Sequence, residues 1–373
     1  MTMRRKQSAG FSVIELMIAL GLGLLVVAGI IQLFVGNSRT YEIVEAQSRL
    51  QENARFAFDF ITESARSAGY FGCAPNPANI ALKLNGPWNI VPEFNMTEPV
   101  RGWESQGDGT FTPDDLVFLP KTSGGTDTYV HTAVAGNEGI DRTELAATSD
   151  LLVFRSVEQP MARLDQVTQP TADPRVSTPG GDPAFAVNDI VIISDCEQAA
   201  VFSVTGTTSL SGGDVTQLAS AVGTASPYDN GPDVTTPTGD LVPPTLSIVG
   251  RSYGEDATVG RIISTFFFVA ESSENDNLGN TVNALWMKAG VDAPVELVQG
   301  IEDMQILFGL DTTNDNVANV NRYVPADQVG DPTQIVAARV TLIVSSVDTL
   351  VENQNQRLQR TFTKTIQLRN MRV

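Results

Sequence analysis

The sequence predicts an α+β fold: one long N-terminal helix packed on a large, mainly antiparallel β domain. Three observations support this. Residues 11–36, FSVIELMIALGLGLLVVAGIIQLFVG, are almost wholly apolar. Apolar residues then recur at three- and four-residue spacing as far as Ala68. After Gly69 the pattern changes to short β-branched and aromatic runs separated by Gly, Pro, Asn and Asp.

The first segment, residues 1–10, is short and basic, with Arg4, Arg5 and Lys6. Between Leu16 and Ile31 there is no polar side chain. With its flanks, the apolar run reaches the ~20 residues that a bilayer requires. The positive charges precede it, which predicts a cytoplasmic N-terminus and a translocated body. An ordinary secretory signal would end in a small-residue cleavage site after the run and carry no acid. Here the run is followed by more helix-like sequence, GNSRTYEIVEAQSRL, and Glu15 stands near its start. A carboxylate deep in a bilayer costs roughly 3 kcal/mol unless paired. A plain anchor has no use for it.

Beyond the span, Ile43, Ala46, Leu50, Ala54, Ala57, Ile61, Ala65 and Ala68 mark one helical face. No proline occurs before Pro75. A single helix over 11–68 would extend roughly 85 Å. The alternative is two helices broken near Gly36–Asn37. Gly21, Gly23 and Gly29 are the weak points inside the span.

In the body, strands are expected at Asp115–Leu119, Leu151–Val157, Ile190–Ser194, Val201–Thr205, Ile262–Val269, Leu285–Lys288, Met304–Phe308, Ile335–Val344 and Phe362–Leu368. Thr168–Pro183 and Ser209–Pro244, rich in Pro, Thr, Gly and Asp, are expected to be loops. Apolar residues make up 42 % and charged residues 18 %, a globular composition. The net charge is −19 and no basic cluster follows the first six residues, so nucleic acid is not an expected partner.

The chain has two cysteines, Cys73 and Cys196, and one histidine, His131. That is too few for a structural zinc site of four Cys or His ligands. An even pair in an exported chain points to a Cys73–Cys196 disulfide, with two separate thiols as the alternative. No G-x-S-x-G elbow or Walker loop occurs, so His131 is expected to be structural and the chain not to be an enzyme. Asp311-Thr312-Thr313-Asn314-Asp315-Asn316 places oxygen groups at alternate positions, which makes Asp311 and Asp315 candidate calcium ligands. An EF-hand loop would need Gly and Glu where Asn316 and Arg322 stand, so an Asx-rich turn competes with the metal reading. Glu274–Asn277 is a weaker candidate and reads as a hairpin loop. No other cofactor is expected.

Gly10, Phe11 and Glu15, in G-F-S-V-I-E-L-M-I-A-L, resemble the type IV prepilin N-terminal motif. The resemblance implies cleavage between Gly10 and Phe11 by a prepilin peptidase and N-methylation of Phe11. It also implies that Glu15 pairs with the N-terminal amine of a neighbouring subunit. The domains are then a leader over 1–10, a transmembrane and assembly helix over 11–68, and a β-rich periplasmic or tip domain over 69–373. Ala68-Gly69-Tyr70-Phe71-Gly72-Cys73, Asn188–Cys196, Ala200–Thr205 and a Val340–Leu342 strand after a Gly309-Leu310-Asp311 turn resemble the PilW group of minor pilins. That implies a subunit held first in the inner membrane, then near the tip of a pilus on the cell surface, priming assembly and supporting twitching. Its partners would be other minor pilins, the major pilin and a tip adhesin. A J-type pseudopilin of type II secretion has a similar start but a smaller body. A membrane-anchored enzyme or binding protein with a prepilin signal is the remaining alternative.

Overall fold

The computed structural model describes residues 12–73, 80–84, 96, 98–107, 110–112, 118–120, 128–130, 140–141, 145–167, 173–221, 230–235, 241–242, 252–290, 292–313, 319–350 and 356–371. One α-helix runs unbroken through Val13–Ser67, 55 residues, or about 80 Å. Gly36–Asn37 does not break it: Thr40 sits one turn on and its hydroxyl donates to the Gly36 carbonyl at 2.9 Å.

The two halves of the helix differ in what surrounds them. Large apolar side chains from Val13 to Val35 lie exposed. Leu50, Ala54, Ala57, Ile61, Ala65 and Ala68 are buried. Their three- and four-residue spacing builds one apolar stripe, and its alanines let strands approach closely. The expected helix face is therefore the packed one, although Ile43 and Ala46 at its start are only half-buried.

Among the described residues the body contains a large sheet, a four-stranded sheet and two three-stranded ones. The large sheet is organised around Thr258–Asn275, an 18-residue strand. Its first residues pair with Ile190–Ser194. Its middle pairs with Leu151–Val157 on one edge and Thr281–Ala289 on the other. The four-stranded sheet has the order Arg322–Val324, Ile301–Leu310, Ile335–Ser345, Gln359–Gln367. Among the described residues the pairings between named strands are antiparallel except Ile80–Leu84 with Ala199–Ser203. Helix residues Leu50 to Ala68 share one core with Leu152, Phe154 and Phe267 of the large sheet and Met304, Ile306 and Phe308 of the four-stranded sheet. The helix thus rests on both sheets at once.

Several expectations need correction. Thr168–Pro183 is not all loop: Arg175–Ser177 pairs with Val215–Ala219, and Val215–Ala219 with Gly206–Leu210. Ser209–Pro244 also holds Asn230–Thr235 and Leu241–Val242. These strands carry Thr, Gly and Asn, and Gly206–Leu210 buries nothing fully, so there was no alternation to detect. Gly309 and Leu310 finish the Ile301–Leu310 strand and do not form a turn. The Val201–Thr205 strand occurs two residues earlier, at Ala199–Ser203. The Asp115–Leu119 strand falls partly outside the described residues, and Phe118–Pro120 is extended. His131 also lies outside them.

Candidate functional site

The free half of the helix is the first candidate. Ser12 caps it: the Ser12 hydroxyl accepts from the Ile14 N–H at 3.4 Å, and the Glu15 carboxylate accepts from the Ser12 N–H at 3.1 Å. This reciprocal arrangement is a capping box, which satisfies amides that a helix start otherwise leaves open. Ser12 and Glu15 stand at the three-residue spacing that a capping box needs, a pattern that sequence reasoning did not single out. The acid near the start of the apolar span therefore has a partner within its own chain. Gly10 and Phe11 lie outside the described residues. By length and composition the helix can cross a membrane, and its most apolar stretch is not buried against the body.

The far end of the helix is held by distant parts of the chain. The Asn370 side-chain amide donates to the Arg66 and Ala68 carbonyls at 3.4 and 3.2 Å. These are carbonyls that a helix end leaves without intrahelical partners. Gly69 then turns the chain at φ +78°, where a Cβ would lie 2.7 Å from the Asn370 carbonyl oxygen. Only glycine fits there. Its N–H donates to the Arg155 carbonyl at 2.9 Å.

Four residues later Cys73 is joined to Cys196 by a disulfide, with the Cα atoms 4.6 Å apart. Cys196 sits in the tight turn after the Ile190–Ser194 strand, where the Asp195 carboxylate accepts from the Glu197 and Gln198 N–H groups at 2.9 and 2.7 Å. The bond ties the helix exit to the middle of the large sheet.

The metal candidate divides. Asp311 is buried. Its carboxylate accepts from the Thr313 N–H at 2.9 Å, the Thr313 hydroxyl at 2.7 Å and the Asn319 N–H at 3.0 Å. It serves as the keystone of an Asx turn. Asp315 lies outside the described residues. Among the described residues no group of three or more His, Cys, Asp or Glu could hold a metal. Glu274–Asn277 is part of the hairpin between Thr258–Asn275 and Thr281–Ala289. In that turn Asp276 accepts from the Asn280 side-chain amide, from the Asn280 and Leu278 N–H groups, and from Arg357 at 3.0 Å. Those donors, Asn280 foremost, hold its carboxyl far below the usual range.

Asp150, which sequence reasoning did not single out, joins the two main sheets. Its carboxylate is buried and accepts from the Ser105 N–H at 2.9 Å and the Ile306 N–H at 2.8 Å. Burial pushes it up to about 7; Glu104 and Asp303 add repulsion, and the two N–H groups oppose the rise. No local pattern marks such a residue, because both partners come from distant strands.

A helix whose first half is apolar and uncovered, and whose second half is fixed in a β body, defines a membrane-anchored α+β protein. The family model described as Type IV Pilus-assembly protein W matches residues 266–370. The match begins within the central Thr258–Asn275 strand, spans the four-stranded sheet and ends on Asn370, which caps the helix. Over these 105 of its 373 residues the chain resembles a type IV pilus-assembly protein. No curated protein and no solved structure matches it.

Proposed function

We propose that the chain is a minor pilin that helps prime assembly of a type IV pilus. The observation that carries this reading is an exposed apolar half-helix bearing one acid, Glu15, on a chain whose C-terminal part matches a pilus-assembly family. In the proposed sequence of events a prepilin peptidase cuts between Gly10 and Phe11, and Phe11 is N-methylated. The subunit waits in the inner membrane with its N-terminus cytoplasmic and its body periplasmic. On assembly Glu15 exchanges its bond to the Ser12 N–H for the N-terminal amine of a neighbour. Breaking such a pair in an apolar bundle would leave a lone charge, so the pair fixes register between subunits. A bulky β body suits the tip better than a repeating shaft, where it would crowd its copies.

The proposed role is structural, without catalysis or a resident cofactor, and Asp311 is assigned to its Asx turn with Thr313. The pilus reading is preferred over a type II secretion pseudopilin because the family matched is one of pilus assembly. Mass spectrometry of the mature N-terminus tests the processing step, with methylated Phe11 expected as the first residue. Deleting the gene should abolish surface pili and leave type II secretion intact. A mature chain that begins elsewhere, or lost secretion with normal pili, would overturn the reading.

A further inference from the structure

The small sheet of Arg175–Ser177, Val215–Ala219 and Gly206–Leu210 carries an open groove of about 440 Å³. One wall is a face of its hairpin. Ser209 pairs across from Thr216, and Thr207 lies two residues along, so the three hydroxyl residues share that face. The other wall is the Pro179–Gly181 turn with Phe185. Hydrogen bonds latch the turn to the hairpin. The Thr178 N–H donates to the Asp214 carbonyl at 2.8 Å, the Gly180 N–H donates to Asp214 Oδ1 at 3.2 Å, and the Thr178 and Thr216 hydroxyls are 2.9 Å apart. The groove is therefore formed before any ligand arrives, which lowers the ordering cost of binding. Phe185 is half-buried against the core that holds Val176 and Leu218, and it lines the groove as well. Gly180, Gly181, Gly212 and Gly213 line it at φ from +66° to +111°, and a Cβ at any of them would meet nothing within 4 Å. Backbone conformation, not crowding, selects glycine there, and the missing side chains leave room for a ligand to approach the main chain.

We propose that this groove binds a neutral saccharide. The lining selects the ligand class. Asp214 is the one charged residue in it, and no Lys, Arg or His lines it among the described residues, which argues against phosphate, sulfate and carboxylate ligands. Ala184 and Phe185 are its apolar residues, too few to desolvate an apolar ligand. What the groove offers is oxygen. Asp214 Oδ2 and the Thr207 and Ser209 hydroxyls have no partner among the described residues. A sugar ring fits such a set: its hydroxyls donate to the carboxylate and exchange bonds with the threonine and serine, while its C–H face rests on the aromatic ring. The volume falls within the range of small-molecule sites. A divalent cation would need more carboxylates than the one present, and among the described residues no group of three or more His, Cys, Asp or Glu could hold a metal. The groove lies outside residues 266–370, so the matched family says nothing of it, and the proposal stands apart from the minor-pilin reading.

The test presents the full-length protein, in a detergent without a sugar headgroup, to immobilised neutral oligosaccharides of glucose, galactose and mannose and to their sialylated and sulfated forms. A neutral glycan that retains the protein is then titrated as the free sugar by calorimetry. The expected result is binding to a neutral glycan that weakens when the same glycan carries sialic acid or sulfate. Asp214→Ala should weaken binding about tenfold or more, the scale of a hydrogen bond to a charged group. Asp214 also latches the turn, so Ser209→Ile is the second variant: Ser209 is an exposed strand residue, and isoleucine fills the groove while sparing the latch. It should weaken binding to a similar degree. Glu274→Gln, exposed near the far end of the Thr258–Asn275 strand, should bind as the wild type does. Retention by no neutral glycan, tighter binding of the charged forms, or full binding by Ser209→Ile would overturn the proposal. So would heat from calcium chloride alone that Asp214→Ala abolishes, which would give the acid to a cation. Failure of the minor-pilin reading would show differently, as an unprocessed N-terminus or normal piliation without the gene.

Discussion

Replacing Cys73 and Cys196 together by serine removes a cross-link between positions 123 residues apart. Both residues are exposed, so the serines leave no cavity and bury no new polar group. The effect then acts through the unfolded chain, which regains the freedom of a closed loop. For a separation of 123 the chain-entropy relation gives about 16 cal/mol/K, hence about 5 kcal/mol near room temperature. That is a large share of the 5–15 kcal/mol typical of a folded domain. The assay is urea unfolding of residues 37–373, followed by Trp103 and Trp286 fluorescence. Of the described residues this fragment omits 12–36, none of which joins the core. With a slope of about 3 kcal/mol/M, the midpoint should fall by about 1.7 M. The wild-type fragment under reducing conditions should reproduce the serine variant. A shift under about 0.3 M, or a reduced wild type that stays at the oxidised midpoint, would refute the reasoning, because the tie would then constrain nothing that unfolding releases.

Four further outcomes are expected of the same fragment. Ile61→Ala empties a fully buried site in the shared core and should cost about 3 kcal/mol, while Val44→Ala on the exposed face should change stability by less than about 0.5 kcal/mol. Asp150 has a folded-state pKa of about 7 against an ordinary 3.8. The folded form therefore holds a proton that the unfolded form has lost between those values, and stability falls as pH rises from 4 to 7, by roughly 4 kcal/mol, then levels off. Asp150→Asn should flatten that slope in unfolding curves across the range, and a slope that survives the substitution would assign it to other groups. Asn370→Ala should lower stability by about 1 kcal/mol and raise amide exchange in the last helical turn, since two carbonyls there lose their donor. Gly72→Ala should be more damaging than its size suggests: φ is +78° and a Cβ would lie 2.3 Å from the Ser194 hydroxyl, so a lower yield of the Cys73–Cys196 bond is expected in thiol alkylation assays.

The parts of this fold that could be read from sequence are those with a period. The helix announced itself twice, by an apolar run of bilayer length and by alanines and isoleucine spaced to make one face, and the structure keeps it continuous through Gly36. Leu151–Val157 and Ile190–Ser194 were legible because they are nearly continuous apolar runs, and both are buried on both faces of the large sheet. The Arg175–Ser177, Gly206–Leu210 and Val215–Ala219 sheet was hidden. It is short, largely polar and half-exposed, and its composition is that of a loop. Asn230–Thr235 was hidden for a different reason. Its first residue is a buried asparagine whose amide accepts from the Ser203 N–H and donates to the Ser203 carbonyl, acting in place of a strand backbone. The helix-capping role of Asn370 had no signal either, because its partners Arg66 and Ala68 are some three hundred residues away.

Ser12 shows how one short motif can carry two readings that do not compete. Ser-x-x-Glu is an ordinary way to begin a helix, and the Ser12–Glu15 geometry fully meets that description. An ordinary start, however, does not need its acid inside an apolar span, where a lone carboxylate costs roughly 3 kcal/mol. The cap reduces that cost in the single subunit by giving Glu15 a donor. A neutral amide cannot neutralise its charge, so the carboxylate still gains from a cation. In the proposed assembly step the neighbour's ammonium supplies it. The Ser12 bond therefore keeps Glu15 tolerable while leaving most of its electrostatic demand unmet, which is the condition under which a partner subunit is preferred to a wait alone in the bilayer.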